Sequence, residues 1–66
     1  MVTSLEGLTL EEVCTIMEAL RAEMLRFQAL LEQDDYWFYR RKIETIYDIF
    51  GKMGYTRKEA DRFINY

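Results

Sequence analysis

An all-helical fold is what this chain predicts, and three observations predict it. Apolar residues recur at alternating intervals of three and four from Leu10 to Leu31, and again from Tyr36 to Met53. That is the period of a helix face laid against a neighbour. Two capping boxes, Thr9 with Glu12 and Thr56 with Glu59, mark helix starts, since each hydroxyl and each carboxylate can satisfy an amide that the first turn leaves unbonded. Half of the 66 residues are hydrophobic and 15% aromatic, too rich a composition for a disordered chain. The expected organisation is a lead-in segment over residues 1–8 and a single helical domain over 9–66. Within that domain we expect an antiparallel hairpin of two helices, about 9–32 and 36–53, and a short third helix, about 57–65.

The first helix is the most strongly signalled. Its seam runs through Leu10, Val13, Met17, Leu20, Met24, Phe27 and Leu31, while Cys14, Ile16, Leu25 and Leu30 widen the apolar face beyond a two-stranded zipper. Leu8 and Val13 are placed as a hydrophobic staple around the Thr9 cap. Cys14, beside the seam, reads as a small buried hydrophobe rather than a thiolate nucleophile. Glu11, Glu18 and Glu32 share one heptad position on the opposite side. A solvated face accounts for them most simply. The sharper reading is an acidic stripe that imitates nucleic-acid phosphates in a basic groove.

Continued past Leu31, the same seam would bury Asp34 and Arg41. The phase therefore slips, and a tight turn is expected at Gln33 to Asp35, with Asp34 or Asp35 capping the second helix. No glycine or proline falls between Gly7 and Gly51, so one continuous helix with a stutter is the alternative. In the second helix, Tyr36, Tyr39, Ile43, Ile46, Phe50 and Met53 form the seam, broadened by Tyr47 and Ile49. Arg40 with Glu44 and Asp48 with Lys52 are spaced to pair along it. Gly54 is the expected left-handed cap. Thr56 then starts the third helix, with an apolar face of Ala60, Phe63 and Ile64 and a basic one of Arg57, Lys58 and Arg62.

Composition narrows the function. A single cysteine cannot close an internal disulfide, and without histidine no conventional zinc site is available, so no metal or cofactor is expected. Oligomerisation or docking on a partner is the remaining way to stabilise so small a core. General acid-base and nucleophilic catalysis lean on histidine or on carboxylates set beside a nucleophile, and neither pattern occurs, so the chain is not expected to be an enzyme. No apolar run approaches the ~20 residues that span a bilayer. The first residues lack the pattern of a secretory signal, and a cytoplasmic setting is expected. Residues 1–35 set eight acids against Arg21 and Arg26, a net charge of −6, whereas residues 36–66 carry +3. The halves should attract, within one chain or between two. Charge so mixed argues against a dedicated nucleic-acid binder.

Two partial resemblances involve the C-terminal segment. With Gly54 at the turn, Ile49, Met53, Tyr55, Ala60 and Phe63 fall where helix-turn-helix motifs are apolar, so that residues 46–64 resemble such a motif, with Arg57, Lys58 and Arg62 as its DNA-facing cations. Phe50 departs from the pattern, because a small residue is usual where those helices cross. Met53-Gly54-Tyr55 followed by Lys58-Glu59-Ala60 also resembles the loop and second helix of ubiquitin-associated domains. That likeness covers Ile43 to Ile64, and the N-terminal helix would have to stand in for the family's third.

The strongest functional hint is Tyr36-Trp37-Phe38-Tyr39. Successive helical residues point about 100° apart, so Tyr36 and Tyr39 can face the core while Trp37 and Phe38 project elsewhere. Trp and Tyr beside arginine dominate binding energy at interfaces. The expectation is a small non-catalytic protein-protein interaction module, a regulator or inhibitor of the kind phages and mobile elements encode. Its contact surface would be Trp37, Phe38, Arg40 and Arg41, and secondarily Glu11 and Glu18. It would form a homodimer whose two hairpins complete a four-helix core. The alternative is DNA binding through residues 46–64.

Overall fold

The computed structural model describes residues 7–65. Among them are three helices and no strand: α1, Leu10–Gln33; α2, Trp37–Lys52; and α3, Arg57–Ile64. Most of the expected lead-in, residues 1–6, lies outside the described residues, as does Tyr66.

Both capping boxes form. The Thr9 hydroxyl accepts from the Glu12 amide at 3.1 Å while the Glu12 carboxylate accepts from the Thr9 amide at 2.8 Å. Thr56 and Glu59 repeat the exchange at 3.1 and 2.9 Å. Each box satisfies two amides that a helix start would otherwise leave to water.

The continuous-helix alternative fails at the phase slip. Asp34 is extended at φ −147°, ψ 115°, and Tyr36 at φ −98°, ψ 128°, which separates α1 from α2. The expected cap is corrected. Tyr36 holds the cap position with no side-chain hydrogen bond. Asp35 is engaged instead by Arg40, whose Nε donates to it at 2.8 Å. A carboxylate beside a guanidinium makes a stronger, charge-assisted bond than it would with a neutral amide. Arg40 is thereby withdrawn from the expected pair with Glu44, which turns to Arg57. Among the described residues no ion pair joins Asp48 to Lys52.

Gly54 ends α2 as expected, at φ 97°, where a side chain would be strained. The Gly54 amide donates to the Gly51 carbonyl and the Tyr55 amide to the Phe50 carbonyl, both at 3.0 Å. The Tyr55 ring packs edge-on against Phe50, with centroids 6.3 Å apart. These bonds and this apolar contact define a Schellman turn, which reverses the chain in few residues and delivers Thr56 to start α3.

All three helices supply the core. Met24 of α1, Ile46 and Phe50 of α2, and Ala60 and Ile64 of α3 are buried together, ringed by Met17, Leu20, Ile43, Tyr47 and Phe63. Each large side chain contributes ~1.5–3 kcal/mol by leaving water. Ala60 is the small member that lets α3 approach closely. A polar clamp fastens the same helix from outside. The Tyr47 hydroxyl donates to Asp61, and the Arg57 guanidinium donates twice to Glu44 at 3.2 Å while lying 3.9 Å from the centre of the Tyr47 ring.

The seam of α1 is longer than its cover. Leu10 is 80% exposed, and Cys14, expected to be buried, is exposed as well. The reason is length: α1 has 24 residues, α2 has 16 and α3 has 8. The first turns of α1 therefore carry apolar residues that nothing in the described chain covers. No helix among the described residues is long and apolar enough to cross a membrane.

Candidate functional site

The turn between α1 and α2 gathers the aromatics. Phe27, buried on α1, is the floor: Phe38 meets it edge-on with ring centres 6.3 Å apart, and Tyr39 tilts against it at 5.9 Å. Tyr36 stands at the cap, in contact with Trp37, Phe38 and Tyr39 at 5.7, 6.1 and 5.2 Å. Trp37 and Phe38 meet edge-on at 6.0 Å. Edge-to-face pairs of this kind contribute about 0.5–1.5 kcal/mol beyond the area they bury, so the rings hold one another in place. The result is an aromatic ledge at the turn.

The expected division of these rings needs one correction. Trp37 is 63% exposed and Phe38 38%, both at the surface, and Tyr39 is half-buried toward Phe27. Tyr36, expected in the core, is 44% exposed. Its position just before the helix explains this, since an extended cap residue does not follow the helical seam. Tyr36 thus joins the ledge.

Cations surround the rings. Asp35 fixes Arg40 through a 2.6 Å ion pair at the surface. Such a pair adds at most ~1 kcal/mol of stability, so its consequence is positional. The Lys42 ammonium lies 5.6 Å from the centre of Phe38, and the Arg26 guanidinium 4.6 Å from that of Phe27. Arg41 is exposed. Phe27 and Arg26 were not singled out as site residues by sequence reasoning, whereas Lys42 was, with Arg40 and Arg41, as a cation beside the aromatics. The signal available for Phe27 was its place on the α1 seam within one turn of the phase slip.

The other singled-out residues lie elsewhere. Glu11 and Glu18 are exposed on α1, away from the ledge. Lys58 and Arg62 are exposed on α3, whereas Arg57 is committed to Glu44 and Tyr47. The Glu44 carboxylate, first of all by its hydrogen bond, raises the Arg57 pKa further above its ordinary value. Burial, and then the bond to Asp61, pushes the Tyr47 phenol up from 10.0. Phe50 fills the space between α2, the turn and α3, with Phe63 at 6.2 Å. The Tyr47–Asp61 contact was missed by sequence reasoning. A tyrosine on an apolar helix face needs a partner for its hydroxyl, and that requirement was the available signal. Among the described residues no group of three or more His, Cys, Asp or Glu side chains is arranged to hold a metal.

In comparisons with known proteins, no family, no characterised relative and no solved structure matches this chain. The likeness of its C-terminal segment to helix-turn-helix and ubiquitin-associated sequences remains one of a few residues at matching intervals.

Proposed function

We propose that this chain is a non-catalytic protein-interaction module, a small cytoplasmic regulator or inhibitor that acts by occupying a partner protein through its aromatic ledge. The observation that carries the reading is Trp37, the chain's only tryptophan, held 63% exposed by edge-on contacts with Tyr36 and Phe38. A large apolar side chain fixed at the surface has already lost much of the rotamer freedom that binding would take from it. Trp37 and Phe38 supply contact area, and Arg40 and Arg41 supply charge beside it. Glu11 and Glu18 form a second, acidic surface of the same module.

In this reading α1 and α2 form an antiparallel hairpin, supported by Phe27 near the end of α1 meeting Phe38 and Tyr39 near the start of α2. A second copy covers the apolar surplus and completes a four-helix core. Exposed Leu10 and Leu25 on α1 support that part.

Capture from a native host lysate tests the ledge. The wild-type chain is expected to retain a protein that Trp37→Ala and Phe38→Ala lose while their helix content is unchanged. Equal retention by the variants contradicts the reading. DNA binding through residues 46–64 makes a different forecast, a salt-sensitive gel shift abolished by Arg57→Ala and Lys58→Ala. The commitment of Arg57 to Glu44 weighs against it.

A further inference from the structure

Along one edge of α1, Cys14, Glu18, Arg21 and Leu25 follow at intervals of four, three and four. Cys14, Glu18 and Leu25 are exposed and Arg21 is half-buried. Among the described residues neither Glu18 nor Arg21 takes part in an ion pair. Their order has a property that a merely solvated edge does not require. Glu18 and Arg21 are symmetric about the point between Ala19 and Leu20, and Cys14 and Leu25 are symmetric about the same point.

A two-fold axis level with that point but lying beside the helix, perpendicular to it, sets a second α1 antiparallel to the first. Glu18 then faces the partner's Arg21, Arg21 faces the partner's Glu18, and Cys14 faces the partner's Leu25. Every pair is matched in one operation. That self-complementarity is what a two-fold interface requires, since the same patch must serve both sides.

A hollow of about 530 Å³ lies beside this edge, lined by Glu18 and Arg21 of α1 and by Glu59, Arg62 and Phe63 of α3. Each helix contributes one acid and one base to its lining. A partner helix bearing a glutamate and an arginine three residues apart finds an opposite charge on either side.

We propose that a second copy of this chain docks along this edge, α1 antiparallel to α1, with Glu18 paired to the partner's Arg21 and Cys14 against the partner's Leu25. This rests on the homodimer proposed above and names its interface. The ledge at the far end of α1 is left free for another protein.

Sedimentation velocity of the purified full chain at micromolar concentration tests the pairing. Wild type is expected to be a dimer. Glu18→Arg, which brings like charges together twice, is expected to weaken it by about tenfold. The double swap Glu18→Arg with Arg21→Glu is expected to restore it. Leu25→Cys provides an independent reading under mild oxidation, with peptide mapping of the product. A bond between Cys14 and the introduced thiol is expected only between copies, because positions 14 and 25 of one helix stand roughly 16 Å apart. Wild type, whose two Cys14 residues would be offset by a similar distance, is expected to stay uncrosslinked. A dimer that is indifferent to Glu18→Arg, or wild type linked readily through Cys14 to Cys14, overturns this interface and leaves the homodimer standing. A monomer at every concentration overturns both.

Discussion

At the scale of single residues, exposure and burial assign opposite consequences to two aromatics on the same helix. Phe50 is 1% exposed and joins α2, the turn and α3, so Phe50→Ala leaves a cavity where the three meet. It is expected to cost ~3–5 kcal/mol in chemical denaturation, a large part of what so small a fold has. Trp37→Ala removes a side chain that already faces water, together with two edge-on ring contacts, and is expected to cost about 1–2 kcal/mol, well below the Phe50 loss. A residue whose loss costs little stability but abolishes binding has its role at the surface. The division of the aromatics was partly legible beforehand. Helical spacing alone sent Trp37 and Phe38 outward and Tyr39 inward. It failed for Tyr36, because the spacing rule holds only within a helix and Tyr36 stands outside one. It failed for Cys14 in another way: the residue lies beside the seam, but whether a seam is covered depends on how far the neighbouring helices reach.

At the scale of elements, local chemistry accounts for nearly every boundary. Both capping boxes could be read from side-chain types and spacing, because each acts over three residues and needs no distant partner. The turn at Gly54 was legible for the same reason. Long-range side-chain pairing was not. Arg40 and Glu44 satisfy the spacing for a pair, yet Asp35 and Arg57 claim them, since charges from another segment compete with those on the same helix. Thr56→Ala is expected to destabilise the fold by ~1 kcal/mol, with α3 fraying first in amide hydrogen exchange. The pH dependence follows from its partner. The hydrogen bond from the Thr56 amide, and then that from the hydroxyl, holds the Glu59 carboxyl below its ordinary 4.5. A carboxyl depressed by folding contributes stability that is present above 4.5 and lost as the pH falls through its folded value. Acid titration followed by circular dichroism should show this loss for wild type. Glu59→Gln, which keeps a hydrogen-bond acceptor without the charge, should show a shallower acid limb.

At the scale of the whole molecule, the core is narrow and several large apolar side chains stay at the surface. Five buried residues form the central cluster, while Leu10, Ile16, Leu25, Tyr36, Trp37 and Phe38 remain at the surface. A 66-residue chain without a disulfide gains most from covering such surface. The apolar excess falls on separate parts of the chain, the first turns and outer edge of α1 and the turn into α2, which suits one surface to a second copy and the other to a different protein. That apolar surface is in excess was legible from the composition. Its division between two places was not, because it follows from how far each helix reaches past the next. Recognition of another protein by the ledge, as proposed above, is tested by capture from native host lysate with wild type and with Trp37→Ala, their circular dichroism spectra matched. Wild type is expected to retain a protein that the variant loses. The same protein retained equally by both would contradict it.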